Sequence, residues 1–301
     1  MSTAGAVYDR GYRPYEGPRG GRGAARAAVV RLSMRRALGL RREWRQKVLP
    51  WTLLGIATIP AIVNVGIKYL TRNSPVEDIS FITFRDYLGV STTLLLFIAV
   101  VAPDLVCPDR RNRVLPLVFA RPLTGADYVV AKVGSLFLVL FGFTFLPELV
   151  LFVGQMLVVD DGALRFFTDN AEALWQVPVA AAFFALYWAS LSIALSALTT
   201  RRVVGGVTIL ATALVSNTLA HGFVALTGVE PDEVFQNGSL AGLIDLLGLP
   251  LRIRDLVFSG QVDPRSLIGG APNAGLASIV AFAVVVGASW FVLLRRYREV
   301  A

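Results

Sequence analysis

Six long apolar segments, separated by shorter polar stretches, constrain this chain more than any other feature. A helix needs about 20 predominantly apolar residues to cross the hydrocarbon core of a bilayer. Segments of about this length or longer cover residues 49–70, 87–106, 128–159, 177–199, 203–226 and 276–294. Hydrophobic residues make up 55% of the 301 residues and charged residues only 17%, unlike an ordinary soluble domain. We therefore expect an all-α, polytopic integral membrane protein with six transmembrane helices.

The basic residues divide unevenly between the two sides of a membrane that six spans would define. One side receives residues 1–48, the connection between the second and third spans, the turn at Arg201 and the C-terminal end, which together hold most of the 29 lysines and arginines. The other side receives Lys68, Arg72, Arg85, Arg165, Arg252, Arg254 and Arg265. Because cytosolic connections are enriched in lysine and arginine, we expect both termini in the cytosol and a multi-pass protein of the plasma membrane.

The chain divides into a basic region, residues 1–48, and a membrane region, residues 49–301. The basic region begins with a stretch rich in glycine, proline and tyrosine and has no apolar run of the length that a signal peptide requires. Residues 24–47 place apolar side chains among arginines with helical spacing, which predicts an amphipathic helix on the inner membrane surface. A merely solvated tail is the alternative. Nucleic-acid binding is not favoured, because aromatic side chains do not alternate with the arginines as a base-stacking surface requires.

The connection between the second and third spans, residues 107–127, is polar but has an apolar centre. Its charged residues include Asp109, Arg110, Arg111, Arg113 and Arg121. Such charges are too costly to place in hydrocarbon, so the connection lies in water or among headgroups. Leu115 and Phe119 belong to an apolar patch that a solvated loop would not need, which indicates a docking surface. Thr124 and Asp127 have the spacing of a capping box, so we expect a short helix, a turn and a capped restart.

A single carboxylate lies well inside the third span. Glu148 follows Pro147 and, at 1.5 Å per residue, lies about 24 Å beyond Lys132, in the outer part of the bilayer. A carboxylate at this depth is a candidate functional group by default. A glutamate near the outer surface can also merely form an ion pair or reach the headgroups.

Small and hydroxylated residues recur along the fifth span. Thr208, Thr212, Ser216 and Ala220 follow one another at every fourth position. Residues of this kind allow a neighbouring helix to pack closely. They can also line a transport pathway, and the two interpretations overlap if the neighbouring helix belongs to a second subunit.

Residues 227–275 form the longest connection between spans, and they are not uniformly polar. Residues 239–249 are apolar but too short to cross a bilayer. Several residues oppose their extension into a full span: Asp245, Pro250, Arg252, Arg254 and Asp255. A seventh span would also move the C-terminal arginines to the side that carries few basic residues. We therefore expect a re-entrant or interfacial hairpin between the fifth and sixth spans.

Several kinds of catalytic and metal chemistry lack the residues they need. Cys107 and His221 are the only cysteine and the only histidine, which excludes an internal disulfide and a site built from several such ligands. Ser216 shares a helix with His221 at the wrong spacing for a serine nucleophile and its base. No lysine ends a glycine-rich loop of the kind that wraps the phosphates of ATP. We therefore expect no enzyme activity, metal or cofactor in this chain itself.

The six-span layout and two local segments resemble a known family, the membrane subunits of type-two ATP-binding cassette (ABC) permeases. This is the exporter class, in which each subunit has six membrane helices. One segment is YDRGYRPYEGPRGGR at 8–22, followed by the basic helix. The other is 103–132, with CPDRR at 107–111, FARPL at 119–123 and DYVVAK at 127–132.

The resemblance implies partners and roles. The connection 107–127 would be a coupling helix that docks on a separate ATPase subunit, which binds ATP and magnesium. The coupling residues would be Asp109, Arg110, Arg111, Arg113, Leu115, Phe119 and Arg121. The second and fifth spans would flank a path shared with a second permease copy or a paralogue, with Thr208, Thr212 and Ser216 beside it. The basic helix would be a connecting helix on the membrane lipid, and the hairpin would close the outer exit.

We accordingly expect the permease subunit of an ATP-driven exporter that moves an amphipathic or lipid-like solute by alternating access. Two hypotheses from other classes remain. A proton-coupled secondary transporter would use Glu148, although the chain shows no internal repeat of the kind common in such carriers. A membrane-anchoring or assembly protein would use the polar residues of the fifth span for packing alone.

Overall fold

The computed structural model describes residues 20–40, 44–71, 83–87, 91–120, 122–159, 162–226 and 239–298. Within these ranges the chain forms α-helices and one 3-10 helix, and no β-strand. The α-helices are α1 (Arg22–Ala37), α2 (Trp44–Thr71), α3 (Phe84–Tyr87), α4 (Ser91–Arg111), α5 (Leu115–Phe119), α6 (Gly125–Val158), α7 (Ala163–Asp169), α8 (Ala173–Ala197), α9 (Arg202–Leu226), α10 (Leu249–Ser259) and α11 (Ala274–Arg298). The 3-10 helix, Leu240–Ile244, lies between α9 and α10.

Six helical stretches within the described residues are long and apolar enough to cross a membrane. They are Pro50–Thr71, Phe84–Arg111, Gly125–Val158, Ala173–Ala197, Arg202–Leu226 and Ala274–Arg298. The second of these contains α3 and α4, and residues 88–90 between them lie outside the described residues. The prediction of an all-α, polytopic membrane protein with six spans is thus confirmed.

Consecutive spans run in opposite directions, so the bundle has two distinct ends. At one end α1 lies against α4 and α6, and the ring of Tyr297 near the end of α11 lies 5.0 Å from the ring of Tyr128 near the start of α6. We call this the basic end. The opposite end carries α7, the end of α9 and the hairpin. The helix α1 and the end of α11 therefore lie at the same end of the bundle, as an even number of crossings requires.

The helices α4 and α8 form the centre of the bundle. Within the 18-residue apolar stretch of each span, 69% of the residues are buried in the span of α4 and 72% in α8. The corresponding fractions are 17% in α2 and 22% in α11. Phe97 of α4 and Tyr187 of α8 belong to the central core. The outer helices expose apolar side chains such as Ile59 and Val284. Such a surface must be covered by lipid or by another membrane subunit, because water does not cover it favourably.

The beginning of α9 approaches α4 closely at two glycines. A Cβ atom added at Gly206 would lie 2.5 Å from the carbonyl oxygen of Ala99, and one added at Gly205 would lie 3.0 Å from Cβ of Pro103. Small residues let two membrane helices bring their backbones together in this way. The contact fixes α9 against the central helix of the bundle.

The amphipathic helix ends earlier than the prediction of 24–47, which is wrong in this respect. It ends at Ala37, after which Gly39 adopts a left-handed φ of 66°. The Leu40 N–H donates to the Arg35 carbonyl at 2.8 Å, as in a Schellman termination, where glycine accepts the left-handed conformation at little cost. The basic helix and the first span are therefore separate helices.

The hairpin between α9 and α11 folds back along α8, which is the re-entrant one of the two arrangements that the sequence left open. The Tyr187 hydroxyl of α8 donates to the Leu246 carbonyl at 2.8 Å, and the Gln176 side-chain amide donates to the Phe258 carbonyl at 3.3 Å. Tyr187 and Gln176 are about 17 Å apart along α8 at 1.5 Å per residue. The helix α10 therefore runs antiparallel to α8 over this distance. The hairpin begins and ends at the same end of the bundle.

Candidate coupling surface and buried charged sites

The connection between the second and third spans has the three predicted parts. The helix α4 extends through Cys107 to Arg111, further than the sequence indicated, and the short helix α5 follows after a turn in which Arg113 has a φ of 52°. Thr124 then caps α6: its hydroxyl accepts from the Asp127 N–H at 3.3 Å, and the Asp127 carboxylate accepts from the Thr124 N–H at 2.9 Å. The predicted capping box is confirmed.

Asp109 is the centre of a buried network that joins three helices at the basic end. Its Oδ1 atom accepts from the Arg36 guanidinium of α1 at 2.8 Å. Its Oδ2 atom lies 2.7 Å from the Lys132 ammonium and accepts from the Tyr128 hydroxyl at 3.0 Å, both on α6. The Lys132 ammonium also donates to the Leu105 carbonyl at 2.8 Å. A buried carboxylate with this many donors holds α1, α4 and α6 in one arrangement.

Two arginines tie the same end to the turn between α8 and α9. The Arg110 guanidinium donates to the Ala197 carbonyl and, at 3.2 Å, to the Thr199 carbonyl. These carbonyls lie at the C-terminal end of α8, where cations are favoured because the last carbonyls of a helix lack intrahelical donors. Arg202 at the start of α9 pairs with Asp104 of α4. A displacement of the end of α4 would therefore reach α8 and α9 directly.

The helix α1 is also held at its N-terminal end. Asp127 accepts from Arg22 Nε at 2.7 Å and lies 2.8 Å from Arg26 Nε. The carboxylate of Asp127 raises the pKa of Arg22 above its ordinary value through this hydrogen bond. The helix α1 thus contacts α6 through Asp127 and α4 through Asp109, so the basic helix is part of the bundle rather than a detached tail.

The predicted coupling residues fall into two groups. Asp109 and Leu115 are buried inside this chain, and the half-buried Phe119 ring lies 6.1 Å from the Tyr128 ring. Arg110 is half-buried and belongs with them, because it is bonded to the end of α8. Arg111 and Arg113 are exposed, and so is Leu117, which was not among the predicted coupling residues and exposes 72% of its surface. Arg121 lies outside the described residues. The first group holds the connection in place, and the second group is the surface that a partner can touch; we call Arg111, Arg113 and Leu117 the coupling surface.

Glu148 lies in the interior of α6 and is 1% exposed. Neither of its carboxylate oxygens has a hydrogen-bond partner among the described residues. The alternative interpretation was an ion pair or a side chain that reaches the headgroups, and neither is seen among the described residues. A buried carboxyl without donors is costly, which makes it a candidate proton-binding group.

The small residues of α9 do not share one face. Thr208 and Thr212 are half-buried, whereas Ser216 is 8% exposed and Ala220 is fully buried. A spacing of four exceeds the 3.6 residues of a helical turn, so the row drifts by about 40° at each step. Ser216 accepts from the Leu246 N–H of the hairpin at 3.2 Å. Ser216 and Ala220 therefore pack within the chain, whereas Thr208 and Thr212 lie at the edge of the exposed face of α9.

A second charged cluster lies within the hairpin. The Asp245 carboxylate lies 3.3 Å from Arg252 Nη2 and accepts from the Asn217 side-chain amide at 3.2 Å. The Asp255 carboxylate accepts from Arg254 at 2.7 Å and from Arg85 at 3.0 Å. These residues are buried or half-buried, so the cluster stabilises the re-entrant position of the hairpin.

Sequence reasoning missed most partners in both networks. The charges of the hairpin were interpreted only as evidence against a seventh span, although acidic and basic residues alternating in an apolar stretch are typical of buried pairs. Lys132 gave a similar signal, since it is a single lysine near the start of an apolar span. The partner Arg36 could not be found, because no local pattern connects it to Asp109.

Comparisons with known proteins identify no family for this chain. No protein-family model matches the chain, and a search of the curated proteins finds no match.

Proposed function

We propose that this chain is the membrane-spanning permease subunit of an ATP-driven ABC exporter. It would translocate an amphipathic or lipid-like solute by alternating access, with ATP and magnesium bound by a separate ATPase subunit. The observation that supports this proposal most is the short helix α5, which joins two spans at the basic end and leaves the coupling surface exposed. The proposal places the basic end in the cytosol, in agreement with the distribution of lysine and arginine.

The networks at the basic end suggest how a movement of the coupling surface would be transmitted to the other helices. Closure of the ATPase subunits would press on the coupling surface. Because Asp109 ties α4 to α1 and α6, these helices would move together. Arg110 and Arg202 would carry the movement to α8 and α9. The charged contacts thus connect a docking surface to the helices that would flank a pathway.

The exposed face of α9 supports a second permease copy or a paralogue as a partner. Val207, Leu214 and Val215 expose about half or more of their surface on this helix, at 58%, 54% and 55%. Thr208 and Thr212 lie at the edge of that face. A pathway between two subunits would therefore place these threonines beside the solute while Ser216 packs within the chain.

Photocrosslinking tests the docking surface. A benzophenone amino acid at position 117, in the full chain in its own membrane, should crosslink to a separate chain that contains nucleotide-binding motifs. The same group at position 284, which is exposed on α11, should crosslink to lipid or to another membrane chain. Crosslinking at position 117 to lipid alone would contradict the proposal.

A proton-coupled secondary transporter is the second candidate function. The burial of Glu148 without hydrogen-bond donors favours it, because such a carboxyl can take up and release a proton during a transport cycle. In that case Glu148→Gln would abolish transport, and transport would need no ATPase.

A further inference from the structure

A cavity of about 500 Å³ lies between α9, α10 and the segment that leads to α11. It is located at the opposite end of the bundle, away from the coupling surface. Asp245, Arg252 and Ser266 are among the residues that line it, and the exposed residues His221 and Arg265 also reach it. The cavity is therefore polar at its base and accessible from outside.

Two buried polar atoms of the lining residues have no hydrogen-bond partner among the described residues. One is Nη1 of Arg252, a residue that is only 2% exposed, and the other is Oγ of Ser266. The other terminal nitrogen of Arg252 is occupied, since Nη2 donates to the Gly242 carbonyl at 2.8 Å. A buried guanidinium nitrogen without an acceptor is costly, so these atoms indicate an acceptor that the described residues do not provide.

The charged groups that line the cavity balance one another in number. The carboxylates of Asp245, Asp255 and Asp263 all accept hydrogen bonds from groups of this chain. The guanidinium groups are those of Arg252, Arg254 and Arg265, with Arg85 bonded to two of the carboxylates from α3. Three guanidinium groups and three carboxylates therefore line the cavity, and Arg85 outside the lining has Asp86 beside it. The cluster thus has no surplus charge to hold a ligand with two or more negative charges.

The wall of the cavity also has apolar parts. Leu251 and Leu267 line it next to the unpartnered donors. A group with several acceptor oxygens, at most one negative charge and attached carbon chains matches this combination. A phosphodiester has these properties, whereas a phosphate monoester carries a charge of about −1.5 to −2 at neutral pH.

We propose that this cavity binds a phosphodiester, with its oxygens against Arg252 Nη1, Ser266 Oγ and the Arg265 side chain. The diester can belong to a lipid headgroup or to a soluble ester, and both present the same group to the site. The inference does not rest on the proposed transport function, because the donors are present whether or not an ATPase drives the chain.

Binding to the full chain in a neutral maltoside detergent tests the proposal by native mass spectrometry and calorimetry. Dihexanoylphosphatidylglycerol should bind saturably. Glycerophosphoglycerol, which has the same headgroup without acyl chains, identifies the source: equal affinity indicates a soluble ester, and weaker affinity indicates a lipid. Either result supports the site. Octanoate tests the chemical class, and octanoate binding as tight as that of the lipid would overturn the assignment to a phosphodiester.

Three substitutions locate the site. Ser266→Ala removes only an unpartnered hydroxyl and should weaken binding about 2- to 10-fold, and Arg265→Gln, at an exposed position, should weaken it about 10-fold or more. Arg165→Gln, an exposed arginine of α7 at the same end, is the matched control and should leave binding unchanged. Equal affinity of the wild type, Ser266→Ala and Arg265→Gln would overturn the proposal, as would no saturable binding by the wild type. A further variant replaces Glu230, Asp232 and Glu233 by their amides. If only this variant bound the diester and the wild type did not, the proposal would be overturned, because carboxylates of the chain itself would then occupy the site.

Discussion

The Lys132 ammonium lies 2.7 Å from the Asp109 carboxylate, and both side chains are almost completely buried. The two residues stand on either side of the connection that carries α5. Their contact closes this connection at its base, so α4, α5 and α6 form one unit at the basic end. The account of coupling depends on this unit being rigid.

Removal of the Asp109 carboxylate should destabilise the protein strongly. Asp109→Ala leaves the buried Lys132 without its charge partner, which typically costs about 3–5 kcal/mol. The apparent Tm of the purified protein should fall, and the double variant Asp109→Ala with Lys132→Met should recover part of the loss because the unpaired charge is gone. A double variant less stable than Asp109→Ala would show that the pair is not the source of the effect.

The contact of Asp127 on α6 with Arg22 and Arg26 on α1, which we call the latch, should affect local opening of α1 more than global stability. Asp127→Asn removes the charge that Arg22 and Arg26 share. The carboxylate is buried, but both guanidinium groups are exposed to solvent, and pairs with an exposed partner contribute little to overall stability. Amide hydrogen exchange in α1 should become about 2- to 5-fold faster, while the Tm stays nearly unchanged. Arg31→Gln, an exposed change on the same helix, is the control. Unchanged exchange in Asp127→Asn would contradict the latch.

The close contact between α9 and α4 should tolerate no side chain at Gly206. A Cβ atom there would meet a backbone oxygen, so Gly206→Ala should cost about 1–3 kcal/mol through overpacking. Gly222 on the same helix has no atom within 4 Å of the position of an added Cβ, so Gly222→Ala should be neutral or slightly stabilising. Thermal unfolding of both variants measures the difference. Equal stability would show that the two helices are not held at this distance.

Glu148→Gln separates the two candidate functions. The ATP-driven account expects transport to continue, because the carboxyl takes no part in coupling. It also expects an equal or higher Tm, since the substitution removes a buried ionisable group without donors. Solute uptake into vesicles that contain the full transport complex provides the measurement. A complete loss of transport with normal folding would favour the proton-coupled carrier.

The sequence predicted those parts of the fold that depend on local patterns. The six spans follow from the length of the apolar segments, and the capping box follows from Thr124 and Asp127 alone. The end of α1 could have been found as well, because Gly39 is a typical residue for terminating a helix. The extension of α4 to Arg111 could not, since Pro103 and Pro108 indicate an end that the helix does not have.

The candidate sites depend on contacts between distant parts of the chain, and the sequence predicted them less well. The charged residues of the connection were recognised, but their division into the buried Asp109 and the exposed Arg111 requires the position of α1 and α6. The cavity beside Arg252 depends on a hairpin that folds back along α8. The roles assigned to these residues in coupling remain predictions.

The central claim is tested most directly by measuring ATP hydrolysis in a preparation of the full chain that has been purified gently, together with its partners, from its own membrane. The account predicts magnesium-dependent hydrolysis by a separate chain that co-purifies. The double variant Arg111→Glu with Leu117→Asp should reduce the co-purified activity about tenfold or more, while Arg201→Glu at the same end should retain it. A wild-type preparation without any associated ATPase, from membranes in which the protein is active in transport, would contradict the account.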